Sequence, residues 1–188
     1  MSRLAPLLES DLTPEQRSVA EQIASGPRGG SGLATALGGP FAPMLRSPEL
    51  AQPAQALGAY CRYHTSLTPD VSEMVILVTG RHWMAQYEFW THSRMAQQAG
   101  VPDDVIDAIR THEEPPLATD DQRAAYGFAQ EYFDTHRVSD GTYRQAVERF
   151  GERGVVDLVG IIGYYGLVSA LLNVFEVELP EGETPPLS

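Results

Sequence analysis

The sequence has a single cysteine, Cys61, so it can form neither an intramolecular disulfide nor a Cys-x-x-Cys pair, and dithiol redox chemistry is excluded. Cys61 itself reads as a half-buried helix residue rather than a nucleophile. Basic residues are also scarce: 13 Arg or Lys stand against 25 Asp or Glu, and no two basic residues are adjacent anywhere in the 188-residue chain. At a formal charge of -12 the surface lacks the phosphate-neutralising groups that nonspecific nucleic-acid binding needs, so nucleic acid and anionic membranes are poor partners. Residues 1–8 hold one Arg and a short apolar stretch broken by Pro6, too weak for a signal peptide, and by elimination the expected compartment is cytoplasmic. No alternating apolar pattern is long enough to demand a sheet. One uncharged run, Leu158 to Phe175, reaches the lower length of a membrane span; its glycines, its two tyrosines and the lack of flanking basic residues favour a buried helix instead.

What remains is helical punctuation. Thr13 with Pro14 starts a helix over about Glu15 to Ala24, and a Gly/Pro-rich stretch, 26–43, follows as a long loop that covers a neighbouring surface. No strand precedes that loop and no Lys-Ser/Thr closes it, so a phosphate cradle is disfavoured. Helices are expected from Ser47-Pro48-Glu49 to about Thr65, from Thr68-Pro69-Asp70 to about His82, from Ala85 to Ala99 with Gly100 as its cap, and from Asp103 to Arg110. Further helices run from Thr119 to His136, from Ser139 or Asp140 to Phe150, and from Gly154 to Val177. The pattern is all-α, a single compact domain. Residues 1–46 form an N-terminal helix and Gly/Pro-rich arm, 47–179 the helical domain, and 180–188 a tail. Val71-Ser72-Glu73-Met74-Val75 has a faint echo in Val155-Val156-Asp157-Leu158-Val159, each opening a mostly apolar helix.

Chemistry-bearing residues concentrate between positions 81 and 92. On a helix, Glu88 and His92 are four apart and share a face, where the carboxylate can orient the imidazole and raise its basicity. That geometry permits an acid/base dyad, and it equally permits an ordinary ion pair. His82, Glu88 and His92 are also conceivable metal ligands, but the His-Glu-x-x-His order is missing, and neither a metal nor any other cofactor is expected. Trp83, Tyr87, Phe89 and Trp90 cannot all face one way; two are expected in the core and one or two in a pocket wall.

Glu73, Arg81, Tyr87-Glu88-Phe89-Trp90, His92, Ala96 and Gly100-Val101-Pro102 together resemble the core signature of the carboxymuconolactone decarboxylase family, whose superfamily includes the AhpD-type alkylhydroperoxidases. The resemblance implies an AhpD-like helical fold. Aligned on His92, the redox cysteines of the peroxidase branch fall at Ala85 and Glu88, so both are replaced while Glu73 and His92 remain. The resemblance further implies catalytic roles for His92, Glu88 and Glu73, with Glu73 partnered by Arg81 or His92. Arg81, Trp83, Tyr87 and His82 would bind the substrate, a small cyclic or aromatic carboxylate. A decarboxylation would then use Arg81 to stabilise the developing carbanion or enolate and protonated His92 to protonate it. A binding protein without catalysis, a peroxidase-like activity of the family without the dithiol chemistry, and a purely structural role are the competing expectations. Finally, 15 of the 21 residues from Val155 to Phe175 are apolar or tyrosine, too many faces for one monomer to cover, and a homo-oligomer (dimer, trimer or larger ring) is expected, as the family resemblance also implies.

Overall fold

The computed structural model describes residues 2–27 and 32–188, and among these it contains helices and no strand. The helices are α1 (Pro14–Ser25), α2 (Leu33–Leu37), α3 (Phe41–Met44), α4 (Pro48–Tyr63), α5 (Pro69–His82), α6 (Gln86–Gln98), α7 (Asp103–Thr111), α8 (Asp120–Thr135) and α9 (Asp140–Val174). Their starts follow the capping chemistry. Thr13 and Thr119 each accept from the backbone N–H three residues on, and Gln16 and Gln122 reach back to complete the reciprocal cap. Ser139 caps α9 by accepting from the Thr142 N–H, while its own N–H donates to Glu131 of α8. The expected break after Phe150 is present as a kink inside α9, where Gly151 leaves helical geometry at φ 67°.

Helix α5 is the axis of the domain. Every residue from Val71 to Gly80 is buried, and the helix packs against α6, α7, α8 and α9. Such a helix shows no clean amphipathic stripe because it has neighbours on all sides. Around it Met74, Leu77, Phe89, Phe128, Leu158 and Ile161 form the main core. The apolar half of α9 is long enough to cross a membrane by composition alone, yet 56% of its most apolar window is buried against the other helices.

A smaller apolar cluster joins the N-terminal helices to α4 and α9: Val19, Ala20 and Ile23 of α1 meet Phe41, Met44, Leu45, Ala51 and Ala54, with Leu167 and Leu171 of α9 alongside. The stretch expected as a loop over 26–43 therefore holds two short helices, because its Leu33, Ala36, Leu37 and Phe41 are recruited to this cluster. Residues 28–31 of that stretch lie outside the described residues.

At the other end the chain folds back on α6. The Gln86 side chain donates to the Leu187 carbonyl (3.0 Å) and accepts from its N–H (2.9 Å), while the Leu187 side chain is buried. The tail thus fastens the first turn of α6. Helices α4 and α9 cross at Gly58, where a methyl group would stand 2.1 Å from the Tyr164 ring. Gly58→Ala is expected to push the ring aside and cost about 1–3 kcal/mol, read as a lowered thermal midpoint. An unchanged midpoint would mean that Tyr164 moves without resistance.

Candidate functional site

Two helices supply the chemistry. Glu73 lies in the second turn of α5, Glu88 in the first turn of α6 and His92 one turn further along α6, so the α5–α6 hairpin brings the three together. Glu88 is well placed electrostatically at a helix N-terminus. The His92 Nδ1 meets Glu73 Oε2 at 2.6 Å, and its Nε2 lies 3.1 Å from Glu88 Oε1. The second approach is an ion-pair contact whose angle falls short of a well-aligned hydrogen bond, so the imidazole is held more firmly by Glu73 than by Glu88.

All three side chains are buried: Glu73 is 8% exposed, Glu88 3% and His92 5%. Burial by itself opposes a charged imidazole. The two adjacent carboxylates more than offset it, by charge and by hydrogen bonding, and push the His92 pKa up to about 9. His92 is therefore an imidazolium at neutral pH. Of the partners expected for Glu73, the structure chooses His92 and not Arg81.

Glu88 and His92 line a cavity of about 510 Å³, whose wall includes Phe41, Tyr63, Tyr87, Tyr164 and Tyr165. The edge of the His92 ring and that of Tyr165 pack together with centroids 5.0 Å apart. Burial first, then Glu88 and Glu73, raise the Tyr165 pKa well above the ordinary phenol value, so it stays a neutral hydroxyl. Burial and Glu88 raise Tyr87 in the same direction. Pro27 and the α2–α3 region complete the wall. There Gly39, at φ 51°, sits so close to Tyr87 that a Cβ would be 3.0 Å from the phenol oxygen, and only glycine suits both the backbone and the approach.

The other residues expected at the site are elsewhere. Arg81 and His82 line a separate small cavity with Ile109, Tyr126 and Gln130. His82 stacks on Phe133 with centroids 4.1 Å apart, and its pKa is lowered by burial and by the nearby His136. Trp83 is 48% exposed and packs edge-on against His82. The reason is helical geometry: Arg81 lies eight residues beyond Glu73, which is about 12 Å along α5 and roughly 80° around it. Arg81, His82 and Trp83 are thus not brought to the cavity, and His82 does not join Glu88 and His92. Of the four aromatics in this stretch, Phe89 is core, Tyr87 walls the cavity, and Trp90 lies under the Arg94 guanidinium at 4.0 Å.

Sequence reasoning missed Arg62 of α4, which lines the cavity beside Tyr63 and Met95, and it gave no cavity role to Tyr164-Tyr165 of α9 or to the α2–α3 region. The paired tyrosines in an otherwise aliphatic helix were a signal of sorts. Arg62 carried none, because its place depends on how α4 packs. Cys61, its neighbour, is buried and is not among the cavity residues.

Fold and site together define an all-helical chain of AhpD-like architecture with a carboxylate–imidazole–carboxylate cluster at an aromatic cavity. No family model matches the sequence, and no curated protein matches it. Among solved structures, that of the debrominase Bmp8, a cysteine-to-alanine variant in complex with 2,3,4-tribromopyrrole, is similar with a TM-score of 0.71 at 16% identity, over 99% of this chain and 96% of that one. At that identity the likeness shows the fold, and the helical AhpD-like fold expected from the sequence is the one observed.

Proposed function

We propose that this protein is a cofactorless acid/base enzyme acting on a small cyclic or aromatic carboxylate. The observation that carries this reading is the buried Glu73–His92–Glu88 cluster reaching the wall of a cavity large enough for a single-ring ligand. Glu73 anchors the imidazole. The imidazolium, in turn, holds Glu88 at the cavity wall through the looser of its two contacts, which leaves Glu88 the group best placed to exchange a proton with a ligand. In a decarboxylation, the electron pair left by departing carbon dioxide would take the proton of His92 Nε2, relayed through the Glu88 carboxylate, and the neutral imidazole would then be reprotonated from water. An isomerisation would use the same two groups in alternation. The neutral Tyr165 hydroxyl would supply a hydrogen bond to an oxyanion.

That the similarly folded debrominase was solved with a single-ring pyrrole supports a small cyclic ligand here. A thiol mechanism is not favoured, since the chain's one cysteine lies away from the cavity. The second reading is a binding protein without turnover, supported by both His92 ring nitrogens facing carboxylates of the protein itself. A mass-spectrometric screen of small cyclic and aromatic carboxylates, read both for carbon dioxide release and for retained ligand, separates the two. Retention without any conversion would favour binding, and neither would defeat both.

The same reading includes a homo-oligomer in the cytoplasm. Val156 (69% exposed) and Val159 (56%) of α9 lie bare, as do Leu50 and Leu57 on its neighbour α4. A second copy burying these faces is expected to give sedimentation at a multiple of 20.5 kDa at micromolar concentration. A stable monomer there would refute it.

A further inference from the structure

We infer that Arg62 is the residue that receives the anionic end of a ligand in this cavity, the part that sequence reasoning gave to Arg81. The inference rests on the cavity being the ligand site, and on no proton transfer. All 13 basic residues of the chain are arginine. Six of them, Arg3, Arg17, Arg94, Arg110, Arg123 and Arg149, are ion-paired to carboxylates at the surface. Arg62 is different. It is half-buried in the cavity wall, and no carboxylate among the described residues pairs with it. Its guanidinium instead rests against the Met95 sulfur and lies 5.0 Å from the Tyr63 ring centroid.

A thioether is a weak acceptor, so the guanidinium keeps donors available for something better. In a chain with 25 acidic residues, Arg62 is, among the described residues, the arginine that lines the 510 Å³ cavity, and it has no carboxylate partner there, which leaves it for a partner from solution. A carboxylate suits its planar fork, and the contact with Met95 is cheap to give up. Charge also sets the ligand's direction. Glu73, Glu88 and the His92 imidazolium sum to one net negative charge when both carboxylates are ionised, so that side of the cavity repels an anion. An anionic ligand therefore turns its charge to Arg62 and its uncharged ring to Glu88.

The test uses benzoate and its neutral counterpart benzamide as probes, titrated calorimetrically into the wild-type protein, Arg62→Gln, Arg62→Lys and Glu88→Gln, with helicity checked by circular dichroism. Wild type is expected to prefer benzoate by at least about tenfold, and Arg62→Gln to weaken benzoate by about 10- to 100-fold while leaving benzamide within about twofold. Arg62→Lys should retain part of the preference. Equal binding of the two probes to wild type, no benzoate binding at millimolar concentration, or an equal loss of both probes in Arg62→Gln would overturn the assignment. Glu88→Gln should keep the preference, so a failure of the acid/base reading and a failure of this one give different results.

Discussion

Glu88→Gln is expected to lower turnover of whatever substrate the screen yields by about a hundredfold to ten-thousandfold, while the protein keeps its helical signature and its ligand affinity. Gln preserves the shape of the side chain and its contact with His92, but it cannot take up or release a proton at neutral pH. It is a cleaner substitution than His92→Ala. With His92 caught between two buried carboxylates, its removal leaves both without a counter-charge, and the breaking of a buried pair costs about 3–5 kcal/mol. Lost activity in His92→Ala would then confound catalysis with unfolding. Turnover of Glu88→Gln within threefold of wild type would end the acid/base assignment and move weight to the binding reading.

The other large effect is on stability against pH. The His92 pKa is raised from 6.5 to about 9 in the folded protein. A raised histidine stabilises the fold in full below its unfolded value, near 6.5, and that contribution is lost as the pH climbs through about 9. The loss should amount to about 3 kcal/mol, taken from the size of the shift. Urea denaturation at pH 6.5 and at pH 9.5 is expected to show this decline. In Glu73→Gln the charge that holds Nδ1 is gone, so the protein should be less stable at pH 6.5 and the decline should flatten. A wild-type unfolding free energy that is level between the two pH values would show that His92 is neutral in the folded state.

Much of the architecture was legible because it depends on neighbours in the chain. Thr13-Pro14 and Thr68-Pro69 open helices, Gly100 and Gly151 take the left-handed geometry where helices α6 and the first part of α9 stop, and Val71 to Gly80 declares itself as a buried helix by the absence of charge apart from Glu73. The Glu88–His92 contact was legible for the same reason, since a separation of four on a helix fixes it. The Gly/Pro-rich stretch was read as loop because its local propensity is poor, and the short helices α2 and α3 form there because the hydrophobic cluster on α4 and α9 takes up their apolar side chains.

By itself, then, the sequence determined the helical class, most helix ends, the loss of the dithiol and the pairing of Glu88 with His92, all set by interactions within a turn or two of helix. Only the tertiary structure decided which of two candidates would partner Glu73, that Arg81 and His82 face a different cavity, and that Arg62 and Tyr165, from helices far apart in the chain, meet at the site. Those choices depend on the rotation and offset of one helix against another. A difference of about 100° per residue turns a side chain from one cavity to the next, and no local pattern records it.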